Sequence, residues 1–358
     1  MLLSLGTLDI VGRLPSAIQP EADARRMNSI AACIHSAGWF LRRRDLLRLG
    51  YSDENVRDAL ACHSIFRVRQ GWYSLPDAPD SAIEAVRVGG RLTSTSALES
   101  YGLPVPRTPQ LHIAVPETAS RLRTAHDRFA LLAGDVSICI HWNDASRRGQ
   151  DSWRVSLDDA LLAAICEQPK FVAIACASAV ARRKGWSRAR MDAVFARAPE
   201  RVRAWRPLVS WLDDSHGETF LRLEFDRVGI DYEQQARVRG VGLLDFRVGV
   251  HTYVEVDGAQ HDLNWIGETP SSWEHYLDRD TSMAITSKYV LHFSYRQLYS
   301  DLPRVIAAIS QRVADDAALD QRRKRHPFRS RSTSPHLAAL RKRRRIAAIR
   351  AREARFAR

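Results

Sequence analysis

The sequence predicts an α/β chain of several domains that ends in a basic tail. Three observations carry that expectation. The chain has 358 residues, more than one ordinary domain uses and enough for two or three. Helix-like and strand-like stretches alternate clearly between 206 and 318. The positive charge is concentrated at one end. From Gln321 to Arg358 fifteen Lys and Arg stand against Glu353, a net +14 within a chain total of +13, so the preceding 320 residues sum to about −1. Tails of this kind bind nucleic acid or another polyanion.

Hydrophobic residues make up 45% of the chain, which is enough to bury real cores. No apolar run approaches the roughly 20 residues that span a bilayer, so no membrane association is expected. The opening MLLSLGTLDIVG is short, lacks a basic start and is interrupted by Asp9. It does not read as a signal peptide, and the cytoplasm is the expected compartment. The five cysteines, Cys33, Cys62, Cys139, Cys166 and Cys176, are widely spaced without a CxxC pair. They read as buried free thiols rather than a disulfide framework or a structural zinc site.

Residues 1–26 have no periodicity and read as a disordered leader, or as a misassigned start with Met27 opening the protein. Residues 27–80 read as three short helices and a ribbon. MNSIAACIHSAGW is the first helix, FLRRRDLLRLG the second, ended by Gly50. SDENVRDALACH is the third, with Ser52 as its N-cap and Asp53 and Glu54 in its first turn. In SIFRVRQGWYSLP, Phe66 and Val68 alternate with Arg67 and Arg69, and Gly71 supplies the turn. Helix–helix–helix–ribbon is the winged-helix order. The third helix is acidic, so Arg67, Arg69 and the earlier Arg42, Arg43 and Arg44 are the expected phosphate partners.

Residues 81–205 form a mixed α/β middle domain. RLTSTSALESYGLP, LDDALLAAIC and FVAIACASAVARRKGW read as helices, and QLHIAVP and DVSICIHW as strands. No catalytic constellation is legible in this stretch. Residues 206–318 follow as an α/β core of helix, hairpin, helix, strand and helix. Residues 319–358 are the tail. There Pro327 and Pro335 break the first half, the second half has helical character, and Arg343, Arg344 and Arg345 form its densest run.

The chemistry sits in the 206–318 core. In GETFLRLEFDRVG, Leu221, Phe225 and Val228 make an apolar stripe at helical spacing. Glu218 lies on that stripe at the helix N-terminal end, and a carboxylate on a core face needs a partner or a task. In the hairpin, Asp245 alternates with Leu244 and Phe246, and Glu255 with Val254 and Val256. A turn centred near residue 250 sets 245 opposite 255, with Cβ atoms about 5 Å apart. Two facing carboxylates repel unless a proton or a cation lies between them. With Asp257 on the same face, this set of hard oxygen donors suits Mg2+ or Mn2+.

Residues 215–312 resemble the very-short-patch-repair-like endonucleases, a branch of the PD-(D/E)XK nucleases with a restriction-endonuclease-like core. The resemblance rests on Glu218 in GETFLRLEF, Asp245 in GLLDFRVG, Glu255 in YVEVDGAQHD, and the later Arg279, Asp280 and VLHFSY. It implies a metal-dependent DNA endonuclease, in phage defence or DNA repair, with metal held by Asp245, Glu255 and Glu218. Asp257 stands where those enzymes usually carry lysine, and His261 or Gln260 is the implied substitute. His292 stands where an arginine is common. RQGWYSLP and VRVGGRLTSTSALESYGLP are similar to abortive-infection, type IV antitoxin-like (AbiEi-like) proteins. That second resemblance implies the alternative: a non-catalytic transcriptional regulator with a toxin or another protein as partner.

Overall fold

The computed structural model of the chain describes residues 30–143, 151–257, 281–285 and 288–325. They form a mixed α/β protein with three small sheets. The chain divides into two compact units, Met1–Phe220 and Leu221–Arg358. No helix of the described residues is long and apolar enough to cross a membrane.

The first unit opens with helix α1 (30–36), strand β1 (Phe40–Arg42), helices α2 (Arg43–Arg48) and α3 (Asp53–Ala61), and the ribbon β2 (Phe66–Arg69) and β3 (Trp72–Ser74). The three strands pair antiparallel in the order β1-β3-β2. The expected cap of α3 is present. Ser52 accepts from the Asn55 amide, and the Asn55 side chain accepts from the Ser52 amide. Together they satisfy two of the donors that a helix start leaves unpaired. Gly71 turns the ribbon at φ +74°, a conformation that costs glycine nothing. One expectation is corrected. Phe40–Arg42 is a strand paired with β3, not the start of the second helix. Phe40 is 1% exposed, and pairing with a distant strand outweighs the helical spacing of FLRRRDLLRLG. Ile30, Ile34, Leu46, Val56, Ala59, Ile65, Tyr73 and Leu75 give this segment its own small core.

Helix α4 (Asp80–Val88) ends at Gly89, which has φ +119°. Strand β4 (Arg91–Leu92) follows, then helix α5 (Ser94–Ser100) and strands β5 (Leu111–Val115) and β6 (Ile138–Trp142). In this sheet β4 and β5 are antiparallel and β5 and β6 parallel. Helices α6 (Leu157–Glu167), α7 (Lys170–Arg183), α8 (Arg188–Ala196) and α9 (Glu200–Arg203) complete the layer. Helix α7 is buried from Ala173 to Ala181. That is why its sequence is apolar all round rather than striped.

Helix α10 (His216–Val228) carries the boundary between the units. In the second unit, β7 (Glu233–Val238), β8 (Gly242–Arg247), β9 (Thr252–Asp257) and β10 (Tyr289–Ser294) form a sheet in the order β10-β9-β8-β7. The β10–β9 pair is parallel and the others antiparallel. Phe225, Tyr232 and Phe246 meet with ring centroids 5.4–5.8 Å apart, each pair adding about 0.5–1.5 kcal/mol beyond its area. Leu221 and Phe225 are fully buried, whereas Val228 is exposed, so the stripe fades at the helix end. A short helix α11 (Tyr295–Ser300), capped by Ser294 and Gln297, precedes α12 (Leu302–Arg325). Helix α12 runs past 318, so the first residues of the expected tail are helical. Asp316 on it is buried and accepts from the His251 amide at 2.7 Å.

Candidate functional site

Strands β8 and β9 hold the acids that the sequence singles out. Their register pairs Phe246 with Val254 and Arg247 with Tyr253, the alignment expected from a turn near residue 250. One step further along, beyond the paired residues, come Asp245 on β8 and Glu255 on β9. There the ladder gives way to a side chain, because Asp245 Oδ2 accepts from the Val256 amide at 2.8 Å. Glu255 is 8% exposed. His292 is its registered neighbour on β10, with Nδ1 3.6 Å from Glu255 Oε2 and 3.9 Å from Asp257 Oδ2. Asp245, Glu255, Asp257 and His292 therefore share one region of the sheet. Its donors are carboxylate oxygens, the type that magnesium and manganese take. The burial of Glu255 raises the cost of leaving its charge uncompensated.

Glu218 belongs to the first unit. It lies in the first turn of α10, is 4% exposed, and accepts from the Asp214 amide at 3.0 Å. Asp214 is gripped by Arg182 through two hydrogen bonds, 2.8 and 3.0 Å. His261, Gln260, Arg279 and Asp280 lie outside the described residues, as do Arg343, Arg344 and Arg345.

The expected phosphate partners in the first unit divide into two groups. Arg43 is committed to Asp53 on α3, with Nε 2.7 Å from the carboxylate, and Arg44 lies 3.6 Å from Asp45. Arg42, Arg67 and Arg69 instead face clefts. One cleft, of about 530 Å³, is lined by Arg42, Arg69, Trp72, Gly89 and Arg91. A second, of about 480 Å³, is lined by Arg67, Arg69, Arg121, Arg123 and Arg128. Arg69 serves both. Burial, then Arg123, pulls its pKa below the ordinary arginine value. Burial, then Arg42, does the same to Arg91, although Asp151 opposes that shift. Cations that depress one another this way attract an anion. Arg91, Arg121, Arg123 and Arg128 escaped the sequence reading because they are scattered over 38 residues of loops and strand ends.

The middle stretch contains a cluster of possible metal ligands. In β5 and β6, His112 registers with Cys139, and His141 lies two residues further along the same strand. One ligand atom from each of His112, Cys139 and His141 lies within 4.8 Å of the others. His112 Nδ1 is 2.9 Å from His141 Nε2, and His141 Nδ1 is 2.7 Å from Glu167 Oε2. Gln168 Nε2 is 3.3 Å from His112 Nε2. Burial, then His141, pushes the His112 imidazole down to about 4. The available signal was Cys139-Ile140-His141, two ligand types on one face of a strand.

No protein-family model and no curated protein matches the chain. Among solved structures, the RV2827C protein of Mycobacterium tuberculosis is similar at 15% identity, over 57% of this chain and 81% of that one, with a TM-score of 0.28. That score is too low for an argument about fold or function.

Proposed function

We propose that this chain is a DNA-binding protein of the cytoplasm that hydrolyses phosphodiester bonds with the help of a divalent metal. One observation carries the reading: Asp245 accepts a hydrogen bond from the Val256 amide, next to the nearly buried Glu255 on the neighbouring strand. On this reading the second unit is a restriction-endonuclease-like core. Asp245 and Glu255 would hold Mg2+ or Mn2+, and the sequence resemblance assigns Glu218, on the first unit, the role of a further ligand. The metal, when bound, supplies Lewis-acid polarisation of the scissile phosphate. The protein's own part is to hold two carboxylates at fixed positions. His292 lies beside Glu255 and Asp257. His261 and Gln260 remain the proposed substitutes for the motif lysine.

The first unit supplies DNA affinity. Residues 30–75 run helix, strand, helix, helix, ribbon, which supports a winged-helix reading, and the arginine clefts flank the ribbon. Arginines there contact phosphates, and the tail adds sequence-independent attraction. A second reading, a non-catalytic type IV antitoxin-like regulator with a protein partner, is favoured by Asp257 standing where such nucleases carry lysine. Magnesium-dependent nicking of supercoiled DNA by the purified chain separates the two. Cleavage that is lost in Glu255→Gln supports the enzyme; DNA binding without cleavage of any DNA or RNA form supports the regulator.

A further inference from the structure

The His112, Cys139 and His141 cluster lies in the first unit and shares no residue with the set assigned to hydrolysis. We propose that it is a zinc site, with His112 Nδ1, His141 Nε2 and the Cys139 thiolate as ligands and a fourth position left for water or an exogenous donor.

Three features carry the inference. The donors are of the right chemistry, since two imidazoles and a thiolate suit zinc and not magnesium or calcium. They also converge. One ligand atom from each lies within 4.8 Å of the others, and the two imidazole nitrogens, His112 Nδ1 and His141 Nε2, are 2.9 Å apart. Zinc sits about 2.0–2.1 Å from imidazole nitrogen and about 2.3 Å from sulfur, so a tetrahedral ion needs that pair to open by only a few tenths of an ångström. Finally, the outer support is already in place. Glu167 Oε2 accepts from His141 Nδ1–H at 2.7 Å. That bond fixes the tautomer whose Nε2 lone pair faces the other two donors, the carboxylate–histidine–metal arrangement that orients a ligand and raises its basicity.

Without metal the same atoms form a relay. The Gln168 amide donates to His112 Nε2, His112 Nδ1–H to His141 Nε2, and His141 Nδ1–H to Glu167. Loading requires His112 to carry its proton on Nε2 instead of Nδ1. Turning the Gln168 amide over then lets its carbonyl accept a hydrogen bond from His112 Nε2–H. Both imidazoles stay neutral, and the one proton released to solvent comes from the Cys139 thiol. His112 and His141 are both nearly buried and Cys139 is half-buried, so an ion here is enclosed by protein on most sides. The His112 amide is anchored to Ser96 Oγ at 3.0 Å, which ties β5 to α5 at the ligand itself.

The test uses the full chain, without a histidine tag and stripped by chelator, titrated with Co2+ and then with Zn2+. The expected result is one equivalent of cobalt with thiolate-to-cobalt charge-transfer absorption, displaced by zinc and not by magnesium. Cys139→Ser abolishes that absorption. Glu167→Gln, which keeps all three ligands, weakens cobalt binding about 10–100-fold. X-ray absorption of the zinc-loaded wild type needs no variant and should give one sulfur and two imidazoles around the ion. A first shell of oxygens alone, no thiolate absorption, or the same absorption in Cys139→Ser would overturn the proposal.

Discussion

Asp245 Oδ2 accepts a hydrogen bond from the amide of Val256 on the neighbouring strand at 2.8 Å, so a carboxylate stands in for a rung of the sheet. The Asp245 side chain is therefore structural as well as chemical, and the two roles separate by substitution. Asp245→Asn keeps a carbonyl oxygen for the Val256 amide and should leave unfolding free energy within about 1 kcal/mol of wild type. Asp245→Ala leaves that amide without its acceptor and should cost about 1–3 kcal/mol. Urea titration of the two variants checks the difference. Equal stabilities would mean that the bond contributes nothing in solution.

Arg69 lines both clefts of the first unit, and its guanidinium lies against Gly89, whose φ of +119° disfavours any other residue. Replacing Arg69 and Arg123 together by Gln should weaken DNA binding at low salt. If each contacts a phosphate, the slope of log affinity against log salt should fall by about 2. Fluorescence anisotropy with a short duplex across a salt series reads this directly. An unchanged slope would remove these residues from the interface.

The pH response of the first unit should carry the mark of His216 at the start of α10. Burial pushes its imidazole from 6.5 down to about 4, opposed by a hydrogen bond with the Pro104 backbone. A histidine with a depressed folded-state pKa binds more protons when unfolded. Its stabilising contribution is complete above about 6.5 and is lost as pH falls toward about 4. Melting temperature should therefore drop across that window in wild type and drop less in His216→Gln. Parallel pH profiles for the two proteins would contradict the assignment.

What was legible in the sequence followed from local chemistry. The Ser52 cap, the Gly71 turn and the alternation that sets Phe246 against Val254 each depend on a few neighbouring residues, and each stands in the structure. What was hidden depends on pairing between distant segments. Phe40–Arg42 becomes a strand only because β3 lies beside it. His112 meets Cys139 and His141 only because β5 and β6 run parallel, and parallel register leaves no turn to read. The arginine clefts are likewise assembled from positions 42 to 128. The β8–β9 register was legible because a tight hairpin converts sequence distance into pairing.

The most direct test of the proposed hydrolysis is magnesium-dependent nicking of supercoiled DNA by wild type and Glu255→Gln, measured side by side on folded protein. The substitution keeps the size of the side chain and removes one negative charge from a strand face rich in acids, so the fold should survive. Nicking by wild type should require Mg2+ or Mn2+. The variant should be slower on the order of a hundredfold to a thousandfold, because several kcal/mol of barrier lowering depend on the metal site. Binding through the arginine clefts and the tail should change by no more than a few-fold. A variant that nicks as fast as wild type, or a wild type that cleaves nothing with either metal, would contradict the account.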